Sequence, residues 1–174
     1  MNDNLLEIFK NVNDWLKHAE SKNAMLIAFN GVVIFGLIQS YDLNLIKDDQ
    51  VLTCVLIVSI ILQTVSLLIA LFSFSPQLRF NNDLDVALKE DKSLIYFEYL
   101  SKMPAKYIAK EITGKKYSKI GELDRDLAEQ IRQNSKIASI KYTHFRRAVW
   151  LTCIVLIIDL IVAIGLLING IINF

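Results

Sequence analysis

Residues 148–172 read AVWLTCIVLIIDLIVAIGLLINGII, an apolar run broken by one charge, Asp159, near its middle. About 20 apolar residues cross the hydrocarbon core of a bilayer as a helix, so this run is long enough to span it with some tilt. Two earlier runs read the same way. Residues 24–40 (AMLIAFNGVVIFGLIQS) lie at the short end for a spanning helix, and residues 51–74 are longer and free of charge. Between them, YDLNLIKDDQ at 41–50 is the short polar hairpin that a re-crossing chain needs. The expected fold is an all-α membrane protein with three transmembrane helices and a helical cytoplasmic region, its last helix long and continuous into the cytoplasm.

Composition agrees with a bilayer. The 174 residues have room for one domain, and 53% hydrophobic residues with a mean hydropathy of +0.39 is too apolar for an ordinary soluble one. Cys54 and Cys153 both fall inside apolar runs with no metal-type spacing, and read as packing residues. The N-terminus does not read as a signal peptide, because its first apolar run follows a stretch of mixed charge and no small-residue cleavage site comes after it.

A net charge of +1 hides an asymmetry that sets the orientation. Three Lys precede the first span, one lies in the hairpin, fifteen Lys and Arg precede the third span, and none follows it. Positive charge stays on the cytoplasmic side, which puts the N-terminus in the cytoplasm and the C-terminus outside. The chain then divides into an N-terminal amphipathic cytoplasmic helix at 1–22, transmembrane helices at 23–75, a cytoplasmic helical region with a basic loop at 76–147, and the last span at 148–174.

In the cytoplasmic part, Leu5, Phe9, Val12, Leu16 and Ala19 recur at helical spacing opposite Asp3, Glu7, Lys10, Asp14 and Lys17. That face suits either the membrane surface or a partner helix. Asn81, Asn82 and Asp83 offer an N-cap for a helix running to about Met103, where Pro104 ends it. A Lys-rich loop is expected over 102–119. From Glu122 the periodicity returns, with no Gly or Pro until Gly165, so one helix of about 50 residues and roughly 75 Å is expected to run into the third span.

Enzyme motifs are absent: there is no phosphate-binding glycine loop, HExxH or CxxC, and His18 and His144 lack catalytic neighbours in sequence. No cofactor or metal is expected. Two other places ask for explanation. Asp159 costs at least about 2.5 kcal/mol at the bilayer centre unless it faces the bundle, water or a partner. With Asn30 in the first span and Gln63 in the second, every span carries one strongly polar side chain. Either these form a seam lining a cation pathway, which three helices could provide only as a homo-oligomer, or they close a hydrogen-bonded knot with a neutral Asp159 donating to Asn30 or Gln63.

The second place is basic. Arg146 and Arg147 are membrane anchors at the lipid headgroups. Lys110, Lys115, Lys116, Lys119, Arg132 and Lys136 lie farther out, where topology does not require them. A nucleotide or oligonucleotide would neutralise them and could stack on Tyr96, Tyr99 or Tyr117; the alternative is a solvated face.

Three segments resemble the Pycsar-type transmembrane effector family. HAESKNAMLIAFNGVVIFGLI at 18–38 places Glu20, Lys22, Asn30 and Gly31 as that family does, and KSLIYFEYLSKMP at 92–104 is similar to its middle segment. DRDLAEQIRQNSKIASIKYTHFRRAVWL at 124–151 carries Leu127, Ala128, Gln130, Ile131, Asn134, Ser135, Ile137, Ala138, Lys141 and Tyr142 in the family's order before the last span. The resemblance covers nearly the whole chain. It implies an anti-phage effector that works beside a nucleotide-synthesising sensor, whose cyclic nucleotide or oligonucleotide controls a protein that impairs the inner membrane.

Overall fold

The computed structural model describes residues 2–41, 44–75 and 94–172, and among them every regular element is helical. Helix α1 is Asp3–Ser40, α2 Asn44–Lys47, α3 Gln50–Phe72, α4 Phe97–Lys102, α5 Ala105–Thr113 and α6 Glu122–Ile172, with a 3-10 turn at Tyr117–Lys119. Three of them, α1, α3 and α6, are long and apolar enough to cross a membrane.

The starts and stops follow from local chemistry. The Asn2 side chain accepts from the backbone N–H groups of Asn4 and Leu5, closing the start of α1. Asp49 does the same for α3, accepting from Val51 at 2.7 Å and Leu52 at 3.2 Å. Pro104 separates α4 from α5, and Gly114 ends α5 at φ 65°, a left-handed conformation that glycine adopts without steric cost. Glu122 and Asp124 open α6 with the negative charge a helix N-terminus favours.

Two local expectations change. The Lys-rich stretch is not a plain loop: Ala105, Ile108, Ala109 and Ile112 repeat at three and four residues, and burial of that stripe makes α5 a helix. The helix expected to reach Met103 is short where it is described, because Leu94 and Ile95 form a turn and Tyr96 is extended. Its proposed cap at Asn81 to Asp83 lies outside the described residues.

The chain forms two compact units, one of Met1–Ser21 with Phe74–Thr143 and one of Lys22–Ser73 with His144–Phe174. Unit one has an ordinary core. Leu5 and Val12 of α1, Leu100 and Met103 around α4, Ile108 of α5 and Ile131 of α6 are all at most 2% exposed. Each contributes roughly 1.5–3 kcal/mol by leaving water. Beside it Phe97 stacks on Tyr142 at 5.1 Å, and Trp15 packs on both rings at 5.5 and 6.2 Å.

Unit two is built the other way round. Asn23, Asn30, Ser59, Gln63, Ser66, Ser73 and Thr152 are buried, while Met25, Val32, Phe35, Val51, Val58, Ile61, Ile157 and Ile161 are exposed. Small and polar side chains between helices with large aliphatic ones outside is the arrangement that lipid imposes, since lipid solvates Leu and Ile as well as another helix does. Cys54 and Cys153 also sit on the exposed face and do not pack between the helices.

Candidate functional site

Apart from Gln63, the buried polar residues of unit two fall at seven-residue steps, which the half-buried Asp159 continues on α6. Asn23 and Asn30 are seven apart on α1, Ser59, Ser66 and Ser73 on α3, and Thr152 and Asp159 on α6. Seven residues are close to two turns, so each set lies on one side of its helix. At the centre Asn30 donates to Ser66 Oγ at 3.0 Å and accepts from Gln63 Nε2 at 3.0 Å and Thr152 Oγ1 at 3.1 Å. Ser66 and Thr152 share a 2.8 Å hydrogen bond, and Ser66 Oγ lies 2.8 Å from the Ala148 carbonyl oxygen. One residue from each long helix, plus Ser66, thus closes a network with Asn30, Gln63 and Ser66 fully buried.

Asp159 stands apart from that network. Its Oδ1 accepts from Ser59 Oγ at 2.6 Å, and among the described residues it bonds neither Asn30 nor Gln63. Its second oxygen is buried and has no hydrogen-bond partner among the described residues. Asp159 also lines a cavity of about 290 Å³ between α1, α2, α3 and α6. The three seam residues read from the sequence therefore separate into a bonded pair, Asn30 with Gln63, and a carboxyl group held by Ser59.

In unit one the basic residues also divide. Lys106 and Lys110 lie one turn apart on α5, and Lys115, Lys116 and Lys119 flank Tyr117 in the following turn. The Arg125 guanidinium lies 4.6 Å from the Tyr117 ring centroid and Lys106 Nζ 5.6 Å from it, while Arg125 Nη2 donates to the Tyr117 carbonyl at 3.0 Å. Arg125 Nε is buried without a hydrogen-bond partner among the described residues. None of these six cations forms an ion pair among the described residues.

The other basic residues are differently placed. Arg132, 14% exposed at its side chain, is paired with Glu129 at 3.3 Å, and Lys136 is half-buried. Tyr96 lies 4.9 Å from Phe97 and donates to Glu98, so it belongs with the Phe97 and Tyr142 rings. Arg146 and Arg147 are exposed in unit two, just before the apolar run of α6. Burial raises the Tyr142 phenol above the ordinary tyrosine range, and the charge of Tyr96 adds to this.

Sequence reasoning passed over Arg125, Ser59, Ser66 and Thr152. The seven-residue spacing was the available signal for the hydroxyl residues. Nothing local marks Arg125, which reaches Tyr117 across a turn.

Three helices able to cross a bilayer, packed through buried polar side chains and continuous with a second helical unit, define an integral membrane protein. Residues 4–169 match the Pycsar effector protein domain, and the chain belongs to that family. It is 27% identical over 157 residues to the Pycsar effector protein PtPycTM of Propioniciclava tarda, an alignment covering 88% of this chain and 74% of that protein. No solved structure matches. The family is one of anti-phage membrane effectors rather than a known enzyme family, and its name links it to a sensor that makes cyclic nucleotides.

Proposed function

We propose that this protein is an oligomeric effector of the bacterial inner membrane that conducts ions or disrupts the bilayer when a cyclic nucleotide or oligonucleotide binds unit one. The observation that carries the ligand reading is the set of cations on and beside Tyr117 in the chain that form no ion pair among the described residues. Arg125 and Lys106 flank an aromatic ring, and Lys110, Lys115, Lys116 and Lys119 supply further charge nearby. A phosphate would satisfy the cations, and a base has Tyr117 as a stacking surface. Arg132 and Lys136 take a supporting part, since Arg132 already has Glu129.

Helix α6 belongs to both units and supplies Arg125 to one and Asp159 to the other, which supports a link between ligand and membrane. Charge asymmetry favours unit one on the cytoplasmic side and the C-terminus outside. Because Asn30, Gln63, Ser66 and Thr152 bond one another within one chain, a conducting path is assigned to several copies, with Asp159 as its acidic group. The same closed network favours a second reading, a non-conducting membrane scaffold that recruits a partner through unit one.

Equilibrium binding of cyclic nucleotides and short oligonucleotides to the detergent-solubilised protein tests the ligand site. Arg125→Glu and Lys106→Glu should weaken binding at least tenfold and flatten its salt dependence, with Lys136→Glu having less effect. Affinity that is unchanged in both α5 and α6 variants would remove the assignment.

A further inference from the structure

The cavity beside Asp159 is a further site that the nucleotide reading does not use. Its walls include Leu37 and Ser40 of α1, Ile46 of α2, Leu56 of α3, and Asp159 and Val162 of α6. Apart from Asp159 and Ser40, every one of the lining residues is aliphatic, and the Ser40 hydroxyl is already donated to the Gly36 carbonyl at 2.9 Å. Asp159 is the one acid in that lining.

A carboxylate among aliphatic walls is costly without a counter-charge, so the lining favours a cationic occupant. Water fits poorly, because an ordered buried water needs two to four polar partners and these walls offer little beyond one carboxyl group. A metal ion fits worse, since Ca2+ or Mg2+ takes about six oxygen ligands. A volume of 290 Å³ is near the lower end for small-molecule sites, whose lining is mostly apolar with a few polar groups fixing orientation.

We propose that this cavity binds a lipophilic primary ammonium, its charged head on Asp159 and a compact apolar body against Leu37, Leu56 and Val162. The head pairs with the one acid of the lining, and the body lies against its aliphatic side chains. Binding does not require that Asp159 line a conducting path, so it stands or falls separately from the channel reading. Where the path does run past Asp159, an occupant here blocks it.

Isothermal titration calorimetry on the full chain in phosphatidylglycerol nanodiscs tests this, with 1-adamantylammonium as the probe and 1-adamantanol as its neutral counterpart. Saturable binding of one ammonium per chain is expected, weaker by tenfold or more for the alcohol and for Asp159→Asn. Leu56→Trp, which fills the cavity and keeps the carboxyl group, should abolish binding, and it carries the test if Asp159→Asn does not fold. Phosphatidylethanolamine nanodiscs separate two sources of the same chemistry. Weaker probe binding there shows that the lipid's own ammonium occupies the site, and unchanged binding shows that a free amine does. Equal binding of ammonium and alcohol, equal binding by wild type and Asp159→Asn, or no saturable binding in phosphatidylglycerol overturns the proposal.

Discussion

Replacing Asn30 by Leu, which has the same number of side-chain heavy atoms, should destabilise the membrane unit by about 3 kcal/mol, because the change removes three side-chain hydrogen bonds between helices. Such bonds average about 0.6 kcal/mol each within membranes, giving roughly 2 kcal/mol for the three. The remainder comes from Gln63: its amide nitrogen loses Asn30 Oδ1, and its Oε1 already has no partner among the described residues, so the whole buried amide is left unsatisfied at about 1 kcal/mol or more. Leu gains little in return, since lipid is as apolar as the bundle interior. Reversible unfolding in mixed micelles measures the difference. The double variant Asn30→Leu with Gln63→Leu adds a sharper readout, because removing both partners leaves no orphan amide. It should be more stable than the sum of the two single changes implies, by about 1 kcal/mol of coupling. An Asn30→Leu variant within 0.5 kcal/mol of wild type, or additive effects in the double variant, would refute the closed network.

Gly114→Ala should cost about 1–2 kcal/mol from the left-handed backbone alone, as open space surrounds the added Cβ; thermal melting of unit one by near-UV circular dichroism reads this. The raised Tyr142 phenol stabilises the fold in its neutral form. That contribution is complete below the ordinary tyrosine pKa near 10 and is lost as pH rises through the higher folded value, so Tyr142→Phe should lessen the loss of stability in alkaline titrations. Reversing Arg146 and Arg147 to Glu should lower the fraction of molecules with the N-terminus inside, measured by protease protection in inverted vesicles.

The spans were legible because a bilayer requires long apolar runs, and 24–40, 51–74 and 148–172 announce themselves by length. What packs between them was less legible. Asn30, Gln63 and Asp159 stand out in apolar surroundings, whereas Ser59, Ser66 and Thr152 are small hydroxyl residues common in spanning helices. Their meaning lies in a period of seven that a search for strongly polar groups does not register. Asp159 and Asn30 were grouped because each is polar at depth, yet Asp159 bonds Ser59 and leaves Asn30 to Gln63. On the basic side, charge counting treats all cations alike. Arg132 proves to be paired with Glu129, while Arg125, unremarkable in sequence, reaches the Tyr117 ring because a turn and the start of α6 bring them together. The stretch at 102–119 was taken for a loop because its Lys residues outnumber the buried stripe of Ala105, Ile108, Ala109 and Ile112.

Planar bilayer recording is the most direct test of the proposed effector activity, comparing the reconstituted protein with and without cyclic nucleotides and short oligonucleotides. Conductance that changes on adding one of these ligands, is lost with Arg125→Glu and is altered in ion selectivity by Asp159→Asn is the expected result. A protein that inserts and binds ligand, yet leaves the bilayer silent under every condition, would contradict a conducting or membrane-disrupting effector and leave the scaffold reading.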